Sequence, residues 1–132
     1  GNQRRDFIHV RDLVRGKLLL LDHPDANDAI FNIGTGKPSS ILDLAETLIE
    51  LCGKNFSPDI IYKFRNGDIR DCYADISKIK ALGFTPELSL REGLKDLIAW
   101  SDSQEAVSRV GDAHQKLVEK GLVLETQPVT SK

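Results

Sequence analysis

Cysteine is scarce in this sequence: Cys52 and Cys72 are the only two among 132 residues, and neither sits in a metal-ligand spacing. Two thiols do not make a disulfide framework, so both are expected to be reduced, and metal chemistry has no sequence support. Long apolar runs are also missing. None, Leu18 to Leu21 included, is longer than four residues, far short of the roughly 18 that a membrane span needs, and the first residues form no apolar signal region. The chain therefore reads as cytoplasmic, without a membrane partner. No internal repeat and no low-complexity tract interrupts it. Neither charge sign dominates: 18 Lys and Arg stand against 20 Asp and Glu, a net charge of −2, which argues against a dedicated nucleic-acid binder.

What is present is the balance of a globular protein. Hydrophobic residues make up 40% and charged residues 29%, enough for one modest core and unlike a disordered or coiled-coil chain. The charges are unevenly placed. Residues 1–17 carry five basic side chains (Arg4, Arg5, Arg11, Arg15, Lys17) against Asp6 and Asp12, a net of +3, and residues 63–80 carry five against three, a net of +2. Between them, residues 18–62 hold seven acids against Lys37 and Lys54, a net of −5. Isolated basic residues usually face water, so solvated surface charge is one reading. The sharper one is a small-anion site assembled from two distant segments.

Phe7 to Val10 reads as a short strand, and Leu13, Val14, Leu18 and Leu21 then recur at helical spacing until Pro24. A second apolar run, Ala29 to Ile33, enters the loop Gly34, Thr35, Gly36, Lys37, Pro38. Ser40 and Asp43 make a capping box for a helix whose apolar face is Ile41, Leu44, Ala45, Leu48 and Cys52, closed by Gly53. Pro58 precedes a strand over Ile60 to Phe64 and the turn Asn66 to Gly67. A short helix near Ser77 to Leu82 stops at Gly83, and Ser89 with Glu92 opens another. Further on, Ala106, Val107, Val110, His114, Leu117 and Val118 recur at helical spacing, followed by Gly121 as a C-cap and a polar, frayed end around Pro128. The expected organisation is α/β, with short strands alternating with helices over residues 1–102, then a terminal amphipathic helix and flexible tail over residues 103–132.

Three segments carry a resemblance. RDFIHVRD at Arg5 to Asp12, FNIGTGKPSSI at Phe31 to Ile41, and FRNGDIRDCYADISK at Phe64 to Lys78 resemble, in order and spacing, successive signatures of the NAD-dependent epimerase/dehydratase family. That family is the nucleotide-sugar branch of the extended short-chain dehydrogenase/reductases. The resemblance runs from Gly1 to about Trp100 and is similar to the family's C-terminal part. It implies a small mixed α/β domain that grips the diphosphate of a UDP- or dTDP-sugar, and, in such enzymes, an N-terminal Rossmann domain that carries NAD and the catalytic residues. The dinucleotide fingerprint needs clustered glycines, yet Gly34 and Gly36 are the only close pair, with no third behind them. The family's catalytic Tyr and Lys lie four residues apart, but Tyr62 is followed at that spacing by Asn66 and Tyr73 by Ser77. The resemblance thus implies no cofactor in this chain, NAD belonging to the parent family's other half, and a chain that is catalytically silent alone.

By the same resemblance Arg5 and Arg65 stand at the family's two phosphate-contacting arginine positions, each within one of the basic segments. Asp68 stands where a carboxylate accepts from ribose hydroxyls, and Gln3, with Arg4, where the base pocket is lined. Guanidinium forks suit a diphosphate because each forms two parallel hydrogen bonds to a phosphate. Each residue also has a plainer reading. Asp68 is a turn carboxylate beside Asn66 and Gly67; Asp6 and Asp12 cap or brace the following helix; His9 packs in an apolar run; Thr35 and Lys37 belong to a strand-to-helix turn; Arg70 either joins the anion site or pairs with Asp71 or Asp75. The partners expected are a nucleotide-diphosphate sugar and, for the apolar surface, self-association or a Rossmann-domain partner. The alternative is a stand-alone interaction module that keeps the fold without turnover.

Overall fold

Serines three residues ahead of an acid start two of the longer helices. In helix α2 (Ile41–Leu51) the Asp43 N–H donates to Ser40 Oγ at 2.9 Å while the Ser40 N–H donates to the Asp43 carboxylate at 2.9 Å. In α4 (Leu90–Ser101) the Ser89 N–H donates to Glu92 at 2.8 Å and the Glu92 N–H returns to Ser89 Oγ at 3.3 Å. Both reciprocal boxes satisfy helix-end donors that have no partner inside the helix. The computed structural model describes residues 1–105 and 107–125. The other elements are β1 (Arg4–Arg5), α1 (Val10–Asp22), β2 (Ser39–Ser40), β3 (Lys63–Arg65), β4 (Asp71–Cys72), α3 (Ser77–Lys80), α5 (Val110–Glu119) and β5 (Val123–Glu125), a mixed α/β arrangement.

β1 is the middle strand of a three-stranded sheet, antiparallel to β2 with Arg4 opposite Ser40, and parallel to β4 with Arg4 opposite Asp71. β3 and β5 form a separate antiparallel pair. The core is small. Ile76, Ile79 and Phe84 are buried, with Ile8, Leu19, Leu20, Phe31 and Ile33 packed around them. Gly16 on α1 is required there, because a Cβ would come within 2.8 Å of Ile33 Cγ2. The opposite side of α1 is bare: Val10, Val14, Leu18 and Leu21 are exposed, and so is Ile30, at 87% of its surface. α2 and α4 are joined at the surface by a two-pronged ion pair, Arg91 to Glu50 at 2.7 and 2.8 Å.

Several expected elements differ. The first strand is Arg4–Arg5 rather than Phe7 to Val10, since the sheet partners lie opposite Arg4 and Arg5 and the chain enters α1 at Val10. His9 is the N-cap of that helix, its Nδ1 accepting the Arg11 N–H at 3.2 Å, rather than a core histidine. Ala29 to Ile33 forms no ladder among the described residues. Side chains hold it instead: Lys78 Nζ donates to the Ile30 carbonyl at 2.9 Å and lies over the Phe31 ring at 4.9 Å, and Asn32 donates to the Asp75 carbonyl at 3.2 Å. The strand expected over Ile60 to Phe64 is cut to Lys63–Arg65, because Tyr62 sits in the left-handed region at φ 54° and interrupts the extended run. Downstream, the terminal helix begins at Val110, and residues 123–125, expected in a frayed tail, form β5 against β3. The expected helix start at Ala106 and the polar end around Pro128 lie outside the described residues.

Asp12 is the one described charged residue that is fully buried, at 1% exposure. Its carboxylate accepts the N–H groups of Glu87 and Leu88 at 3.0 and 2.9 Å and pairs with Arg15 at 2.7 Å. It therefore braces the segment leading into α4 as well as pairing within its own helix. Burial disfavours the charge, but the Leu88 and Glu87 amides and the Arg15 guanidinium outweigh it and hold the carboxyl below its ordinary value. Asp12→Ala leaves two buried amides without an acceptor and is expected to lower stability by about 2 to 4 kcal/mol in urea unfolding. Since the folded value is depressed, the stabilisation is complete above the unfolded value of about 3.9 and is lost as pH falls through the lower folded one. Asp12→Asn should accordingly flatten the acid limb of thermal melts followed by circular dichroism.

Candidate anion site

β1 delivers two adjacent arginines to one short segment. Arg4 N–H donates to the Arg70 carbonyl at 2.9 Å, and Arg4 Nε meets the Asp71 carboxylate at 2.7 Å. Arg4 also lies over the Tyr73 ring at 5.7 Å. The hydrogen bond from Arg4, helped by the charges of Arg4, Arg70 and Arg5 and opposed by burial, holds the Asp71 carboxyl below its ordinary value. Asp71 thus has Arg4 as its ion-pair partner, and Arg70 acts on it only through charge. Arg5 Nη1 donates to the carbonyls of Arg4 at 2.8 Å and Arg70 at 3.1 Å, and Nη2 to that of Ile69 at 2.7 Å. Its Nε–H donates to no described residue.

Arg65 is presented differently. It ends β3, its side chain is 61% exposed, and its Nε donates to Asp68 at 3.3 Å. The turn between them needs Gly67 at φ 84° and is closed by the Asp68 N–H to the Arg65 carbonyl at 3.1 Å. Both terminal nitrogens of Arg65 are without a partner among the described residues, so its bidentate end faces outward. The two guanidinium groups hold neighbouring residues of one loop: Arg65 takes Asp68, and Arg5 takes Ile69 and Arg70. Gln3 precedes β1; its carbonyl accepts the Ile41 N–H at 2.9 Å, and its Oε1 is buried without a hydrogen bond from any described residue.

A shallow cavity of about 410 Å³ lies beside this loop, walled by Arg5, Asp6, Asn32, Cys72, Tyr73 and Ala74. A larger groove of about 770 Å³, between the start of α1 and the helices α2 and α4, has walls that include Phe7, Leu44, Leu48, Leu97 and Trp100. On its rim Arg11 lies 3.3 Å and His9 3.8 Å from the Asp96 carboxylate. The arginine side chains that the sequence singled out, Arg5 and Arg65, are therefore at this loop and not in the walls of the larger groove. Among the described residues no group of His, Cys, Asp and Glu is placed to hold a metal. No described helix is long and apolar enough to cross a membrane.

The loop Gly34 to Lys37 does not fit a dinucleotide pyrophosphate. Its Thr35 and Gly36 N–H groups already donate to the Asp6 carboxylate at 2.8 and 2.9 Å. The space a Cβ would occupy at Gly34 is filled by Asp6 and by the Ala74 Cβ at 2.9 Å, so this glycine serves an internal contact and leaves no cradle for phosphate. The roles of Arg4 toward Asp71 and of the Ile69 and Arg70 carbonyls toward Arg5 had no signal in the sequence, because partners 64 to 67 positions apart meet only in the folded sheet.

Comparison with known proteins bears on this arrangement. Residues 1–34 match the NAD dependent epimerase/dehydratase family. Over 103 residues the chain is 39% identical to the UDP-glucuronate 4-epimerase of Thermodesulfobacterium geofontis, covering 76% of this chain and 31% of that protein. Among solved structures it is similar to the UDP-glucose 4-epimerase of Bifidobacterium longum in complex with NAD+ and UDP, at 33% identity and a TM-score of 0.68 over 78% of this chain and 31% of that one. It is also similar to the dTDP-glucose 4,6-dehydratase of Bacillus anthracis in complex with NAD, at 26% identity and a TM-score of 0.68 over 80% of this chain and 33% of that one. The chain spans about a third of the length of the curated relatives it matches. The family takes NAD, which is bound in those solved epimerase and dehydratase structures. The loop at Gly34 offers that cofactor nothing comparable to a glycine fingerprint.

Two outcomes follow from the loop geometry. Calorimetric titration of this chain with NAD is expected to show no micromolar affinity. Gly34→Ala must push the new methyl into Asp6 and Ala74, and is expected to destabilise the chain by about 1 to 3 kcal/mol in urea unfolding, the range for overpacking a close contact.

Proposed function

We propose that this chain is the nucleotide-diphosphate-sugar-binding portion of an NAD-dependent epimerase/dehydratase, with Arg5 and Arg65 taking the diphosphate, Asp68 the ribose hydroxyls and Gln3 the base. The observation that carries the reading is the outward, unpartnered end of Arg65 on a loop whose other end is gripped by Arg5. A guanidinium in that state is a ready donor pair for a phosphate, and Arg5 keeps its Nε–H for the same ligand. The family match and the UDP bound in the Bifidobacterium relative favour a nucleoside diphosphate over other anions.

The chain has no Tyr followed four residues later by Lys, so the reading assigns it binding and orientation of substrate and leaves hydride and proton transfer to a dinucleotide-binding partner. Such a partner also accounts for the apolar side of α1. A surface carrying Val10, Val14, Leu18, Leu21 and Ile30 is what a second α/β layer, or a second copy of the chain, would cover.

UDP titration followed by ¹⁵N NMR tests the reading. Binding in the millimolar range is expected, because only one wall of the cleft is supplied. Arg65→Ala should weaken it about ten-fold to a hundred-fold, the loss of one bidentate charged contact worth roughly 1.5 to 3 kcal/mol. Unchanged UDP-induced shifts in Arg65→Ala would remove Arg65 from the site.

A further inference from the structure

We infer that β5, which lies beyond the part of the chain that resembles the family, is a positioning element for Arg65. This rests on the nucleotide reading above and adds a role for a segment that the reading does not use. β3 carries Arg65, and among the described residues its only strand neighbour is β5. The register sets Lys63 opposite Glu125, Phe64 opposite Leu124 and Arg65 opposite Val123. One residue past Arg65, the Asn66 N–H donates to the Leu122 carbonyl at 2.9 Å. In an antiparallel ladder that bond makes Phe64 and Leu124 the pair that exchanges both of its hydrogen bonds. Arg65 is thereby clamped from both sides: its predecessor and its successor are each bonded to residues 122–125. On the outside Lys63 and Glu125 add an ion pair at 3.0 Å.

Without that clamp the strand has little to hold it. Tyr62 at φ 54° breaks the extended run on one side, and the Gly67 turn at φ 84° follows on the other. A three-residue strand between two such points has many conformations open to it when unpaired, and a donor that must be ordered on binding loses affinity to that entropy. Pairing with β5 removes the disorder in advance, so the Arg65 to Asp68 turn is presented in one geometry. Leu124 is 40% exposed and Phe64 is not among the core residues, so the pairing can be broken without touching Ile76, Ile79 or Phe84.

The experiment uses the full 132-residue chain, with UDP as the probe and ¹⁵N spectra that include the Arg65 Nε–H. Leu124→Pro removes the donor of the central pair, and Glu125→Lys sets like charges opposite each other without any proline. Both are expected to weaken UDP binding and to shift the free Arg65 Nε resonance toward that of an unpaired arginine. The proline variant should lose about ten-fold in affinity, of the order of one bidentate contact. The amides of α2 and α4 should stay in place, and Leu124→Val should bind as the parent does. If the parent chain binds UDP and both variants bind it equally well, β5 has no positioning role and the nucleotide reading stands. If the parent chain itself gives no UDP-induced shift at Arg65, the nucleotide reading fails and the inference falls with it.

Discussion

The Asp6 carboxylate is the point at which the three sequence motifs meet. It accepts from the Thr35 N–H at 2.8 Å, the Thr35 hydroxyl at 2.5 Å, the Gly36 N–H at 2.9 Å and the Ala74 N–H at 3.3 Å. Asp6 belongs to the first motif, Thr35 and Gly36 to the second and Ala74 to the third. That carboxylate satisfies three backbone N–H groups and shares the Thr35 hydroxyl with the Lys37 carbonyl. Remove it and the order of strands in the sheet loses its fixing point: β1 begins two residues before Asp6, β2 follows Gly36 by three residues, and β4 ends two residues before Ala74. Gly34 follows from the same constraint, since only a residue without a side chain fits between Asp6 and Ala74.

How legible this was in the sequence depends on range. The capping boxes at Ser40 and Ser89 involve partners three residues apart, and both helices begin where the pattern places them. The turn after Arg65 and the stops at Gly53 and Gly83 are local in the same way, with positive φ at Gly53, Gly67 and Gly83. The strands were not legible at their true positions. Two- and three-residue strands carry almost no alternation to read, and those here are chosen by partners tens of residues distant. His9 shows the same limit at one residue: an imidazole in an apolar run looks like core, whereas its Nδ1 is the acceptor that α1 lacks at its N-terminus. At the candidate site the charge pattern identified two basic segments, but not that Arg4 and Arg5 would turn to Asp71 and to the Ile69 and Arg70 carbonyls.

The small core sets a limit on what the chain does alone. Among the described residues only Ile76, Ile79, Phe84 and Leu94 are buried apolar side chains, while α1 presents a row of apolar residues outward. Burial supplies most of the favourable free energy of folding, at roughly 25 cal/mol per Å² of apolar surface, so such a chain relies on polar ties to a greater degree than its length implies. Asp6, Asp12 and the Arg91 to Glu50 fork are those ties, and each connects segments at least 29 residues apart. They specify which segments meet; they do not replace the apolar burial that a covering layer over α1 would add.

The same economy separates the arginines. Arg4 is committed to Asp71, and Arg15 to Asp12 and Glu87. Arg91 is committed to Glu50 through both terminal nitrogens, and Arg5 is largely committed to backbone carbonyls. A guanidinium whose terminal donors are already used has little left for a ligand, since a phosphate would have to displace hydrogen bonds that hold the fold. Of these four and Arg65, Arg4 and Arg65 pair only through Nε; Arg4 also lies over the Tyr73 ring, whereas Arg65 is the more exposed, at 61% against 46%. On the proposed reading, a phosphate taken there displaces water and leaves the sheet's hydrogen bonds in place. Arg4 and Arg5 therefore act as framework for the loop from Asp68 to Asp71, and Arg65 presents the more exposed fork at the start of that loop.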